Sequence, residues 1–141
     1  MQPKRRRKTM TNNVFNFEFK STVKEIAIGG ERFFMNFDDD SLMGYMDGFK
    51  SYADKIETLK QNAPELSTAT EEQLKEMKKS QTEILAGTID MLLGEGKFKD
   101  IYELAGKSSM QIVALIDALM EMVQKELGEQ SNGALDRYLN R

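Results

Sequence analysis

The stretch TIDMLLGEGKFKDIYELAGKSSM, residues 88–110, joins two apolar segments through a Gly-x-Gly sequence at Gly94 and Gly96. Apolar residues recur at helical spacing both before and after this junction. Glycine often follows the last residue of a helix because it adopts a positive φ angle without steric cost. The stretch therefore predicts a helix that ends at Gly94 in a left-handed cap, a short helix from Phe98 to Leu104 that stops at Gly106, and a long final helix.

A Gly-x-Gly sequence can also belong to a phosphate-binding loop, and the residues around it argue against that alternative. The dinucleotide-binding pattern needs three glycines between a strand and a helix, whereas here two glycines follow a predicted helix. The Walker pattern needs Ser or Thr after Gly-Lys, but Phe98 follows Lys97. Glu95, between the glycines, would repel a phosphate. We therefore interpret the glycines as a joint between helices.

Two further helices are predicted from their boundary signals. Thr70–Gln73, with the sequence TEEQ, matches a capping box and predicts the start of the helix that ends at Gly94. An earlier helix is predicted to begin near Ser41, directly after three aspartates that favour a helix N-terminus. It is predicted to end before Pro64, because a residue that precedes proline avoids the helical conformation.

The N-terminal part of the chain carries strand patterns. Residues 14–19 alternate apolar and polar side chains, which predicts a half-buried strand. Gly29 and Gly30 lie between two further apolar segments and predict a tight hairpin turn that pairs Ile26 with Phe33. The whole chain is therefore predicted to be α+β and mainly α, with a small N-terminal antiparallel β-hairpin or sheet followed by three to four helices.

The length of 141 residues predicts a single domain with one modest core. We expect a flexible basic leader at residues 1–13 and one domain at residues 14–128. Gly128, the last residue of that domain, is predicted to end the final helix. Within that domain, residues 14–37 form the β-hairpin region and residues 41–128 the helical region. Residues 129–141 are predicted to be a C-terminal tail.

The chain contains no cysteine and no histidine. This composition excludes disulfides and thiolate nucleophiles, and it removes the side chain that most often acts as a general base near neutral pH. We therefore predict a protein that is not an enzyme and that needs neither a cofactor nor a metal. No apolar run approaches the roughly 20 residues of a membrane-spanning helix.

Charge is distributed unevenly along the sequence. Lys4–Lys8, with the sequence KRRRK, holds five of the 20 basic residues, so residues 10–141 carry 15 basic and 23 acidic side chains and a net charge of −8. An acidic body is a poor surface for nucleic acid. The basic segment could contact an anionic surface, or it could lie upstream of the true start at Met10, and the sequence leaves both alternatives open.

The final helix is apolar over much of its circumference, because apolar residues occupy adjacent positions such as Ile112-Val113 and Leu115-Ile116. A helix of this kind must be buried on several sides, and in a small domain part of that burial could come from another molecule. The chain also contains ten methionines. Methionine suits surfaces that accept varied apolar partners, although it also fills cores.

Together these patterns resemble the tail assembly chaperones of long-tailed bacteriophages, especially those that infect Gram-positive hosts. The resemblance covers about residues 14–127 and is most specific at 92–96, with the sequence LLGEG, and at Ile101 downstream. It implies a non-enzymatic protein that coats the long, helical tape measure protein and leaves when tail-tube subunits polymerise around that client. It also implies a place in the host cytoplasm, absence from the mature virion, and contact with the tail tube protein through a longer, frameshifted form.

A chaperone of this kind needs apolar surface for its client and acidic surface for solubility. Phe15, Phe17 and Phe33 are our candidates for self-association. Our candidates for client binding are the apolar helix residues, each of which could instead be ordinary core: Ile84, Leu92, Ile112, Leu115, Ile116, Leu119, Met122 and Val123.

Two other functions stay open at the level of sequence. The first is a structural phage protein, such as a tail-completion or connector subunit, which would remain in the virion. The second is a small regulator that binds nucleic acid through the basic segment, and the acidic body argues against it.

Overall fold

The computed structural model describes the backbone of residues 14–139 and the side chains of residues 14–129, so the predicted leader lies outside the described residues. Two strands precede four helices: β1 (Val23–Ile28), β2 (Glu31–Asn36), α1 (Asp39–Gln61), α2 (Glu71–Leu93), α3 (Lys97–Leu104) and α4 (Ser109–Leu139). The predicted fold class is confirmed: the chain is α+β and mainly α.

β1 and β2 form a two-stranded antiparallel sheet in which Ile26 pairs with Phe33, as predicted. Gly29 and Gly30 have φ angles of 59° and 84°, which are the angles that this tight hairpin turn requires. The turn lies against α3, because a Cβ atom on Gly29 would come within 3.3 Å of Leu104 Cδ2. One face of β2 and the residue after it supply buried side chains: Phe33, Met35 and Phe37.

Residues 14–22 form no strand, so the strand predicted at residues 14–19 is wrong. β1 and β2 pair with each other, and the described residues contain no further strand to pair with this segment. Side-chain alternation produces a strand only where a partner satisfies the backbone N–H and C=O groups. The segment is held at its end, where the Phe37 N–H donates to the Thr22 carbonyl at 2.6 Å.

Both long helices of the first half begin at side-chain caps. Asp38 accepts a hydrogen bond from the Ser41 N–H at 2.8 Å. Hydrogen bonding with the Ser41 side chain, and then with its N–H, lowers the pKa of the Asp38 carboxyl. Thr70 and Gln73 form the predicted capping box at the start of α2. Local sequence therefore fixes where each helix begins, independently of the core.

The joint after α2 is where the sequence predicts it, but its cap geometry differs from the prediction. Gly94 has φ 120° and ψ 149°, an extended conformation with positive φ that is essentially restricted to glycine. The left-handed conformation belongs to Gly96, with φ 83° and ψ 0°. Gly94 first carries the chain away from the axis of α2, and Gly96 then turns it into α3.

The predicted end of α4 at Gly128 is wrong, because the helix continues to Leu139. A single glycine inside a helix costs about 1 kcal/mol relative to alanine. That cost does not stop a helix when no proline follows, and none does here. The segment predicted as a separate tail at 129–141 is therefore helical in its backbone up to Leu139.

The core lies between the inner face of the sheet and the four helices. Along the α1–α2 pair, the last buried residue of α1 is Tyr52 and the first buried residue of α2 is Leu85. No residue between them is buried, so the far halves of these two helices extend beyond the core. The seven large side chains with the lowest exposure are Met35, Leu85, Ile89, Ile101, Ile112, Ile116 and Val123.

Candidate binding surfaces

The Gly94–Gly96 joint is closed by a side chain of α2. The Asp90 carboxylate accepts a hydrogen bond from the Phe98 N–H at 2.9 Å. That N–H lies in the first turn of α3 and is the kind of donor that a phosphate would use at a helix N-terminus. Phe98 also stacks on Tyr102, with 5.4 Å between ring centroids. These contacts favour the interpretation of this stretch as a structural joint.

The eight candidate client-binding residues divide into two groups that the sequence could not separate. Five lie in the core of the folded chain, where they offer no surface to a client: Leu92, Ile112, Ile116, Leu119 and Val123. Three are only partly buried and reach the surface: Ile84, Leu115 and Met122. All eight are apolar residues at helical spacing, and only the packing of the other elements decides which of them become covered.

One flank of α4 is only partly covered and carries two of those three residues. Leu115, Ala118 and Met122, here called the α4 strip, follow one another at spacings of three and four and therefore lie along one face. Ala118 is exposed, and neighbouring Ala114 adds a second small side chain. The residues around them form a shallow depression: Ala114, Asp117, Ala118, Glu121, Met122 and Lys125. Small residues let another helix approach closely. The carboxylates of Asp117 and Glu121 lie beside the surface that such a helix would contact.

A second surface lies between the far halves of α1 and α2. This hairpin groove has a volume of about 730 Å³ and contains no residue from α3, α4 or the sheet. Its apolar lining comprises Leu59, Ala63, Pro64, Met77 and Ile84. Charged residues at the groove are Asp54, Lys55, Glu72 and Glu76, and within the described residues none of them forms a salt bridge. No clear pattern in the sequence indicates the groove, because α2 is mostly polar over residues 71–83.

A third surface is the N-terminal arm, residues 14–20. Phe15, Phe17 and Phe19 are 85 %, 66 % and 91 % exposed. They contact one another, with ring centroids 6.5 Å apart for the first pair and 5.0 Å for the second. Phe33, the third self-association candidate, is buried in the core instead. Three adjacent exposed phenylalanines form an apolar patch of the kind that marks interaction sites.

Two electrostatic interactions show the course of α4. Burial raises the pKa of Tyr52, and the nearby carboxylate of Asp117 raises it further. At the other end, Lys24 of β1 forms a salt bridge with Glu126 at 2.8 Å. α4 therefore runs from the level of Tyr52 toward the sheet. This course explains why it leaves the hairpin groove uncovered.

Within the described part of the chain, no helix is long and apolar enough to cross a membrane. The same residues contain no cluster of three or more acidic side chains suited to a metal ion. Comparison of the chain with protein-family models, with curated proteins and with solved structures finds no match. Any assignment of function therefore depends on the motifs and surfaces described above.

Proposed function

We propose that this protein is an assembly chaperone for a long, helical client, the tape measure protein of a long-tailed bacteriophage. In this proposal it keeps the client soluble in the host cytoplasm until tail-tube subunits polymerise around the client. It then dissociates and is absent from the mature virion. The resemblance of the LLGEG joint and its flanking helices supports this assignment, and the α4 strip is the structural observation that carries it.

The α4 strip has the form that helix recognition requires. An amphipathic helix docks through apolar anchors at spacings of three and four residues, and Leu115, Ala118 and Met122 repeat that spacing on the chaperone side. The adjacent face of α4 is fixed in the core by Ile112 and Ile116, both with 0 % exposure. Leu115 and Met122 pack against this core along their inner edge, which holds the strip in position for a partner.

The charges around the strip fit a role in solubility. Asp117 and Glu121 border the depression, and residues 10–141 carry a net charge of −8. Copies of the chaperone along a client would present their remaining acidic surface to solvent, and like charge opposes aggregation. A client helix with basic residues beside its apolar stripe would match this border.

The small size of the strip fits a reversible role. A few apolar side chains give weak binding at each site, whereas many copies along one long client bind it effectively through multivalency. Weak individual contacts allow a polymerising tail tube to displace the chaperone one copy at a time. A longer, frameshifted form could then bring the tube protein to the complex; a slippery heptamer near the end of the reading frame would support that part of the proposal.

Co-expression with the long coiled-coil protein encoded downstream tests the proposal. We expect the wild-type chain to raise the soluble fraction of that client and to co-purify with it. Met122→Glu, which places a charge in the strip, should abolish co-purification. Gln124→Glu makes the same change in charge two residues away at an exposed position and should leave binding intact. If wild type leaves client solubility unchanged and does not co-purify, the proposed function is wrong.

A further inference from the structure

The N-terminal arm and the hairpin groove lie at opposite ends of the molecule. The Thr22 carbonyl, two residues after the arm, accepts a hydrogen bond from the Phe37 N–H, just before α1 begins. The groove starts at Asp54, which lies about 22 Å farther along the axis of α1, and Leu59 of its apolar lining lies about 30 Å along. An exposed apolar segment and an unfilled apolar groove are thus separated by most of the length of α1.

The arm is too short to fill the groove of its own molecule. A fully extended chain spans at most about 3.6 Å per residue, so Phe19 reaches about 11 Å from Thr22 and Phe17 about 18 Å. Both distances fall short of the roughly 22 Å to the nearest groove residue. Phe15 reaches about 25 Å, which passes that residue but falls short of the roughly 30 Å to Leu59. The three phenylalanines therefore cannot enter this groove together unless the groove belongs to another molecule.

We infer that the N-terminal arm of one copy binds in the hairpin groove of a second copy. The phenylalanines supply apolar rings, and the groove supplies an apolar lining within the volume range of pockets that hold such groups. Because donor and acceptor surfaces differ, the contact is heterologous. It repeats from copy to copy and produces a ring or an open chain of molecules.

The area available predicts a weak and reversible contact. A buried aromatic side chain covers about 150–250 Å², so the exposed fractions of the three phenylalanines provide roughly 350–600 Å² on the arm side. A stable interface of standard size buries about 800 Å² per partner. Association should therefore depend on protein concentration, with monomers dominant when the protein is dilute.

Sedimentation velocity of the purified full chain, without any client, tests this inference separately from the proposed function. We expect the weight-average mass to rise above the monomer value of 16.1 kDa as concentration increases. An arm variant, Phe17→Ser with Phe19→Ser, and a groove variant, Met77→Asp, should each stay monomeric. Met110→Asp, at a position 84 % exposed on α4, is the matched control and should associate like wild type.

Mixing the two variants gives the sharper result. The arm variant keeps its groove and the groove variant keeps its arm, so the mixture should form a dimer of about twice the monomer mass and nothing larger. If circular dichroism shows that Met77→Asp is unfolded, Thr58→Arg serves as the groove variant instead, because Thr58 is an exposed residue of the groove and the larger side chain would fill it. A wild-type chain that stays monomeric, association that survives the folded groove variant, or a mixture that stays monomeric would each overturn the inference.

Discussion

Replacing Gly94 by alanine isolates the backbone requirement of the joint between α2 and α3. A Cβ atom at this position would lie 3.5 Å from Lys97 Cγ, which is an ordinary van der Waals contact. The substitution therefore introduces no clash, and its effect comes from the φ angle of 120° and the ψ angle of 149°. A conformation in this glycine-only region costs an alanine about 1–3 kcal/mol, and we expect about 2–3 kcal/mol because no left-handed minimum lies close to it.

Urea denaturation followed by circular dichroism measures this loss directly. The midpoint should fall while the slope with denaturant stays constant, since the surface exposed on unfolding is unchanged. For a chain of this length, 1 kcal/mol corresponds to a Tm change of roughly 3–4 °C, so Tm should fall by about 6–12 °C.

Gly87→Ala is the control for Gly94→Ala, because both glycines belong to the α2 segment. Gly87 lies inside the helix, and a Cβ atom there would have no other atom within 4 Å. Alanine should therefore stabilise the chain by about 0.5–1 kcal/mol through helix propensity. If the Gly94 variant were as stable as wild type, or as stable as the Gly87 variant, the joint would not require the glycine conformation.

Two further predictions concern α1. Gly44→Ala should stabilise the chain by about 0.5–1 kcal/mol because the position is open. Gly48→Ala should show no such gain, since the new Cβ would overlap the Met91 side chain. An equal rise in Tm for the two variants would contradict this prediction. Asp117→Asn should lower the raised pKa of Tyr52, measured by ultraviolet titration of the tyrosines. The folded-state pKa of Tyr52 lies above the unfolded value near 10, so the contribution of Tyr52 protonation to stability is present below that value and is lost as pH rises through the folded pKa. An unchanged Tyr52 titration would contradict the electrostatic effect of Asp117.

The sequence predicts well those parts of the fold that depend on local signals. The capping box at Thr70, the hairpin turn at Gly29 and the short helix after Gly96 each depend on a few adjacent residues, and the structure confirms all three. The sequence predicts less well those parts of the fold whose structure depends on residues far away in the chain. The alternation at residues 14–19 is typical of a strand, yet no strand is placed beside it within the described residues.

The same distinction separates core residues from candidate binding residues. Ile116 and Leu115 are adjacent, similar in size and part of one apolar helix, but Ile116 has 0 % exposure while Leu115 is only partly buried. Which of them faces the other helices depends on the rotation of α4 about its own axis. That rotation is set by the summed packing of α1, α2 and the sheet, which no local pattern in the sequence encodes.

The most direct test of the chaperone proposal compares infected cells with purified virions. The protein should be captured from lysates during tail assembly in a complex with the long helical client, and quantitative mass spectrometry of purified virions should detect the client without it. Stoichiometric presence of the protein in finished virions, or its failure to associate with the client in the lysate, would contradict the account.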